Sequence, residues 1–235
     1  MDDEILLRHD GFNAIEKEHN HMQNLAMELL VECQDTPVSD IDEYDQFSKS
    51  VECLRMQIMS LQRELQDSLT NAGTRSGMLT ELRRQHELVK RSAFTCSIAM
   101  MNFNHYKQIN DNHGHQEGDM VLKTVIRYIL DSIRTFDMVF RYGGEEFLLS
   151  LPGTDLITAN CAVDRLRSGI ENLIISGIIK AEMRITASFG MTALSNEIFI
   201  EESIHRADQA LYHAKTTARN RLIAWENMNA DLIES

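Results

Sequence analysis

The hydrophobic pattern divides this chain into two regions that meet near residue 70. Over residues 11–34, Met22, Leu25, Leu29 and Leu30 fall on one side of an otherwise polar helix, and Asp-Thr-Pro-Val-Ser-Asp at 35–40 breaks it. A second helix follows. Its apolar positions, Phe47, Val51, Leu54, Ile58, Leu61 and Leu65, are spaced 4, 3, 4, 3 and 4, which is a heptad seam rather than a merely amphipathic face. Residues 1–70 therefore read as a helical hairpin stalk. A stalk folded back on its own globular domain would also hide these side chains, but the regular heptad favours self-association through a coiled coil.

After residue 71 the pattern alternates between strand and helix. Residues 94–101 are a continuous apolar run suited to a central strand, and residues 121–133 an amphipathic helix. Phe140 on one side and Phe147, Leu148 and Leu149 on the other flank a hairpin. A helix over 155–174, a strand over 183–191, a helix over about 200–217 and a short strand over 221–225 complete the reading. Residues 71–235 are expected to form an α/β or α+β sandwich, a central sheet flanked by helices.

A chain of 235 residues with 43% hydrophobic content can bury one substantial core plus an accessory element. No apolar run approaches the roughly 20 residues that span a bilayer, and the N-terminal Met-Asp-Asp-Glu is acidic where a secretory leader is basic and then apolar. A cytoplasmic protein without a membrane partner is expected. Cys33, Cys53, Cys96 and Cys161 are scattered with no CxxC pair, which suits reduced structural thiols. The net charge of −13 is uneven: residues 1–70 hold 16 Asp/Glu against 5 Lys/Arg, leaving 20 against 18 for the remainder. An acidic bulk without Lys/Arg clusters excludes nucleic acid as the expected partner and leaves room for a small nucleotide with Mg²⁺.

The candidate chemistry lies in Arg-Tyr-Gly-Gly-Glu-Glu-Phe at 141–147. Two glycines permit a two-residue turn with positive φ, and two carboxylates follow at its acidic tip. Alone, this could be an ordinary hairpin with solvated acids. His9, His19 and His21 do not make a metal site, since residues two apart point to different sides of a helix and no cysteine lies at ligand spacing.

Taken with Asn-Asp-Asn-His-Gly-His-Gln-Glu-Gly-Asp at 110–119 and Ala-Asp-Gln-Ala-Leu-Tyr-His-Ala-Lys-Thr-Thr-Ala-Arg-Asn-Arg at 207–221, the 141–147 stretch resembles the GGDEF family of diguanylate cyclases over about residues 67–225. The resemblance implies a fold related to nucleotidyl cyclases and the condensation of two GTP into cyclic di-GMP, with release of two pyrophosphates. Each domain would hold one GTP, so a homodimer would place two sites face to face.

What the family's motifs imply can be carried over residue by residue. Glu145 would ligate Mg²⁺ (or Mn²⁺), and Glu146 would sit near the metal and the 3′-hydroxyl as proton acceptor. Gly143 and Gly144 would let backbone approach the nucleotide. Asn110 and Asp119 match the guanine readers, and Lys107, Lys215 and Arg219 match phosphate-binding positions. Arg134-Thr-Phe-Asp137 matches the RxxD site at which cyclic di-GMP inhibits the family's enzymes.

Three departures qualify the resemblance. Where the family's strand ends Asp-Ile-Asp-His-Phe-Lys, this chain reads Asn102-Phe-Asn-His-Tyr-Lys107, so the first aspartate, a metal ligand, is Asn102. The remaining metal donors would be Glu145, a weakened Asn102 and the backbone carbonyl of Phe103. The missing charge should cost metal binding and transition-state stabilisation ~3–4 kcal/mol, roughly 10² to 10³ in rate. In addition, Asp67-Ser-Leu-Thr-Asn-Ala-Gly-Thr-Arg75 only partly matches the family's domain-opening motif, with Ala72 at a leucine position, and Ala218 replaces a glycine. Besides an attenuated cyclase, the sequence admits a degenerate domain that binds cyclic di-GMP or GTP without turnover, or a stalk whose head only reports dimer state.

The layout of residues 1–70 resembles stalked cyclases activated by a small cytosolic partner protein, which would set the distance of two heads by shifting dimer population. If the heptad seam drives pairing, Leu61→Asp should leave the full chain monomeric in sedimentation. A variant that remains dimeric would refute the coiled-coil reading.

Overall fold

A computed structural model describes residues 17, 19–27, 41–64, 66–91, 94–175 and 183–228. The chain separates into two compact units between Leu65 and Gln66. In the first, residues 19–27 are helical and helix α1 spans Ile41–Glu64. Leu25 is buried, Met22, Phe47 and Leu54 are half-buried, and Val51 is exposed. The remaining apolar positions of the two expected helices, Leu29, Leu30, Leu65 and the side chains of Ile58 and Leu61, lie outside the described residues, as do His9 and Cys33. His19 and His21 are exposed, and the His19 ring shares a hydrogen bond of 3.0 Å with the Gln23 amide.

The second unit is an α+β sandwich. After helix α2 (Arg75–Arg91), strand β1 (Cys96–Phe103) leads to helices α3 (Tyr106–His113) and α4 (His115–Ser132). Strands β2 (Met138–Arg141) and β3 (Glu146–Pro152) form the hairpin; helix α5 (Leu156–Asn172), strand β4 (Ala187–Ala193), helix α6 (Ile200–Thr217) and strand β5 (Leu222–Ala224) follow. The sheet order is β2-β3-β1-β4-β5, with every pairing antiparallel except β4 with β5.

The central position of β1 explains its sequence. All eight of its residues are buried, because helices cover both faces of the sheet. Ala99, Met101 and Phe103 join one core with Val121, Val125 and Ile129 of α4 and Val163, Leu166 and Ile170 of α5. Cys96, Ile98 and Met100 join the other with Met78 and Leu82 of α2 and Ile204 and Leu211 of α6. Burial pushes the Cys96 thiol up to about 11, so it stays protonated and behaves as a small apolar side chain. Gly190 marks the closest approach of helix to sheet: a Cβ there would lie 2.0 Å from the Leu211 backbone nitrogen.

Two strand boundaries correct the sequence reading. β1 starts and ends two residues later than the 94–101 run, so Asn102 and Phe103 are strand residues. The strand expected over 183–191 begins only at Ala187, while Met183 makes an isolated bridge to Ile175. The cause is the sheet's edge: Phe103, the last residue of β1, pairs with Ala187, so the chain upstream has no strand to join. The hydrophobic pattern also gave no sign of α2 or of the short, polar α3.

Candidate active site

The acidic tip between β2 and β3 is not the two-residue, positive-φ turn that its glycines suggest. Arg141 pairs with Phe147, and the Tyr142 and Gly143 N–H groups both donate to the Glu146 carbonyl, at 2.9 and 3.2 Å. Among the described residues the left-handed glycines are Gly114 and Gly153, not Gly143 or Gly144. Arg141 sets the loop instead. Its Nε donates to the Gly143 and Gly144 carbonyls, both at 3.2 Å, and its Nη2 to the Gly144 carbonyl at 2.8 Å. A Cβ at Gly144 would meet nothing within 4 Å, so neither backbone geometry nor internal packing demands glycine there. What the glycine leaves is open space at the tip.

The same guanidinium reaches back across the domain. Arg141 Nη1 donates to both Asp67 carboxylate oxygens, at 3.0 and 3.1 Å. Asp67 also accepts from the Thr70 N–H at 2.9 Å and hydroxyl at 2.7 Å. Burial alone would raise the Asp67 carboxyl; the Thr70 bonds and the Arg141 cation outweigh it and hold the group below its ordinary range. Arg75 stacks over the Tyr142 ring at 4.5 Å as a second brace. These roles escaped the sequence reading, although Asp67, Arg75 and Arg141 all stood within the quoted motifs. Ala72, at the family's leucine position, is completely buried.

The β1–β3 register brings Asn102 opposite Glu146, and the Asn102 Nδ2 lies 3.5 Å from Glu146 Oε1. The Phe103 N–H donates to the Glu145 carbonyl at 3.4 Å. Burial raises the Glu145 carboxyl above its ordinary range; Lys215 opposes this, Glu146 adds to it, and a hydrogen bond from Asn102 opposes it. Glu145, Glu146, Asn102 and Lys215 thus share one electrostatic neighbourhood. Among the described residues no group of three or more His, Cys, Asp or Glu side chains is arranged to hold a metal. Two carboxylates, an amide and a strand-end carbonyl nevertheless fit Mg²⁺, which binds through one or two protein carboxylates and takes its other ligands from phosphate and water. A carboxyl with a raised pKa is the group that gains most from an arriving cation.

The guanine-reading candidates sit on α3 and α4. Asn110 is on α3 and Asp119 on the first turns of α4, joined through Gly114 at φ 91°. Gly118, absent from the sequence reading, is what allows them to approach: a Cβ there would lie 1.9 Å from Asn110 Oδ1 and 2.9 Å from the Tyr106 hydroxyl. Asn110 Oδ1 is buried and accepts no hydrogen bond among the described residues. Burial raises the Tyr106 hydroxyl, hydrogen bonding with Asn110 opposes that, and the Asp119 charge adds to it. Tyr106, Asn110 and Asp119 are therefore neighbours. Lys107 is exposed on the same helix.

Lys215 lies in the last turn of α6, and Arg219 follows the helix end in left-handed backbone with φ 54°. Ala218 adopts φ −152° and ψ −1°, outside the left-handed region that favours glycine. Arg134 and Asp137 sit at the opposite end of β2. There the Asp137 carboxylate accepts from the Arg134 N–H and the Asp137 N–H donates to the Arg134 carbonyl, both at 3.0 Å. They line a shallow pocket with Thr154 and Arg165. Arg165 was not singled out by sequence; only the packing of α5 beside this turn reveals it.

The family profile described as diguanylate cyclase, GGDEF domain, matches residues 64–221. The diguanylate cyclase DgcP of Pseudomonas aeruginosa is 36% identical over 162 residues, covering 68% of this chain and 24% of that protein. The chain spans between about a quarter and two fifths of the length of the curated relatives it matches. Among solved structures, the coiled coil and GGDEF domain of DgcB from Caulobacter crescentus in complex with c-di-GMP aligns with a TM-score of 0.70 at 27% identity, covering 77% of this chain and 96% of that one. The diguanylate cyclase SiaD in complex with its activator SiaC, from Pseudomonas aeruginosa, gives a TM-score of 0.70 at 28% identity, covering 94% and 83%. Among the described residues, no helix is long and apolar enough to cross a membrane.

The clamp on the tip yields a pH-dependent expectation. Asp67→Asn should lower stability by about 1–2 kcal/mol near neutral pH, partial exposure keeping the loss modest. Because the folded-state carboxyl ionises below its ordinary range, its contribution is complete above that range and disappears as pH falls through the lowered value. Urea midpoints for wild type and variant should therefore differ at neutral pH and converge in acid. A gap that persists in acid would contradict the assignment.

Proposed function

Because this chain belongs to the diguanylate cyclase GGDEF family, we propose that it condenses two GTP into cyclic di-GMP with release of two pyrophosphates. The observation that carries this reading is the meeting of Glu145, Glu146, Asn102 and Lys215 at an open glycine tip, where the half-buried Glu145 carboxylate and its neighbour Glu146 favour a cation's arrival. A divalent Mg²⁺ or Mn²⁺, bound by Glu145 with Asn102 and the Phe103 carbonyl as neutral donors and Glu146 beside it, would offset triphosphate charge and polarise the α-phosphate. Lys107, Lys215 and Arg219 hold phosphate oxygens by charge-assisted hydrogen bonds. The buried, unpaired Asn110 Oδ1 supports guanine recognition, because it can accept an N–H from the base edge, and Asp119 accepts another. Glu146 takes the 3′-hydroxyl proton as that oxygen attacks the α-phosphate held by the partner head, and pyrophosphate leaves. A homodimer is required because each head holds one nucleotide.

Asn102 favours a second reading, a domain that binds GTP or cyclic di-GMP without turnover. Its Nδ2 lies 3.5 Å from Glu146, so the amide braces the base where the family places a charged ligand. The two readings part in one assay. Purified chain with GTP and Mg²⁺ or Mn²⁺ should release pyrophosphate slowly, and Asn102→Asp should raise the rate roughly 10² to 10³-fold by restoring about 3–4 kcal/mol of charge stabilisation. Glu146→Ala should abolish it. No product from wild type or from Asn102→Asp, with either metal, would leave only the binding reading.

Cyclic di-GMP is the proposed inhibitor at Arg134 and Asp137, with Arg165 adding a second guanidinium to the same pocket. A small cytosolic protein on the stalk is the proposed activator, supported by the likeness to SiaD with its activator SiaC. Arg134→Ala should relieve product inhibition with little change in the initial rate. Unchanged inhibition in that variant would exclude the site.

A further inference from the structure

The backbone after α6 is held in an unfavourable shape by contacts that converge on a single residue. Arg219 and Asn220 are consecutive non-glycine residues in left-handed backbone, with φ of 54° and 44°. Such conformations persist only where the surroundings over-determine them, and they cluster at functional sites. Asn220 supplies that restraint. Its N–H donates to Ser188 Oγ at 3.1 Å, while Arg167 Nη1 donates to its carbonyl at 3.4 Å and to its Oδ1 at 3.3 Å. Arg167 is itself pinned by Asp164 at 2.7 Å, Glu171 at 3.1 Å and the Ser168 hydroxyl at 2.8 Å.

From Ser188 the chain of bonds continues to the end of β1. The buried Ser188 hydroxyl donates to Asn104 Oδ1 at 2.8 Å, and Asn104 Nδ2 donates to the Thr186 hydroxyl at 2.9 Å. The Asn104 N–H donates to the Thr186 carbonyl at 2.8 Å. Asn104 follows Asn102 by two residues, and Asn220 follows Arg219 by one. A path of hydrogen bonds, buried at Ser188–Asn104 and partly buried elsewhere, therefore joins the end of the central strand to the loop that carries Arg219.

We propose that Asn104, Ser188 and Arg167 form a positioning relay that fixes the Arg219 loop against the end of β1, so that the cation engages the triphosphate of the nucleotide held beside Asn102. The inference rests on the cyclase reading above. None of the three touches the nucleotide; they act through Arg219.

Full-length chain is titrated with a non-hydrolysable GTP analogue and Mg²⁺ by calorimetry, with thermal melts to confirm folding. Ser188→Ala and Arg167→Gln should each weaken binding about 10-fold, as Arg219→Ala does, the scale of one lost hydrogen bond to a charged group. The double variant Ser188→Ala/Arg219→Ala should bind no more weakly than Arg219→Ala alone, because the relay acts only through that side chain. A purely structural role for Ser188 would multiply the two losses. Should Ser188→Ala fail to fold, Ser188→Cys, which keeps the side chain's size while weakening both of its hydrogen bonds, replaces it with the same expectation. Multiplied losses, or unchanged binding by the relay variants or by Arg219→Ala, overturn the relay and leave the cyclase reading standing. A wild type that binds no analogue overturns both.

Discussion

The register of β1 between β3 and β4 is the constraint on which the site depends. Asn102 pairs with Glu146 on one side and Ser188 on the other. Along one face of the sheet, Ile98 and Met100, Leu148, and Gly190 pack beneath α2 and α6. Strand periodicity then carries Asn102, Glu146 and Ser188 onto that same face. On this face the Ile98 rung is flanked by Ser150 and Thr192, the Met100 rung by Leu148 and Gly190, and only the Asn102 rung is polar in all three strands. A slip of one residue would send all three to the side occupied by α4 and α5, and the apolar cores on both faces hold the register against it.

A polar rung at the end of a dry face has electrostatic consequences. Burial raises the Glu145 carboxyl, and with Asn102 in place of an aspartate the nearby amide opposes that rise by hydrogen bonding. A second carboxylate there would have raised it further. On the proposed cyclase reading, Asn102 lets the site hold its charges more easily and, for the same reason, would attract a divalent cation less strongly.

What the sequence made legible was whatever follows from local periodicity or from a motif contained in a single segment. The two-faced burial of β1 appeared as a continuous apolar run, and the β2–β3 hairpin as two apolar stretches around a glycine pair. The backbone of that tip was misjudged because turn rules assume that the backbone sets the loop, whereas the Arg141 guanidinium draws in the Gly143 and Gly144 carbonyls. Gly118 and Arg165 were invisible for a different reason. Their roles exist only once Asn110 folds against α4, and once α5 packs beside the Arg134 turn. Neither relation leaves a trace in spacing.

The departures from the family's pattern gain a physical order from the same geometry. Ala218, at φ −152°, lies outside the left-handed region that would call for the family's glycine. Asn104 is well used: its amide accepts from Ser188 and donates to Thr186, so it fills the polar rung with both bonding senses. On the proposed cyclase reading, Asn102 alone would place a lost charge beside the reacting groups. The segment 102–107 therefore combines one change that weakens electrostatics with another that the fold employs fully. Arg219 and Asn220 stand in left-handed backbone just past the end of α6, where helices commonly close in this way, and hydrogen bonds with Ser188 and Arg167 hold Asn220 there. On the proposed cyclase reading, that restraint would serve the phosphate side of the site while Asn102 weakens its metal side.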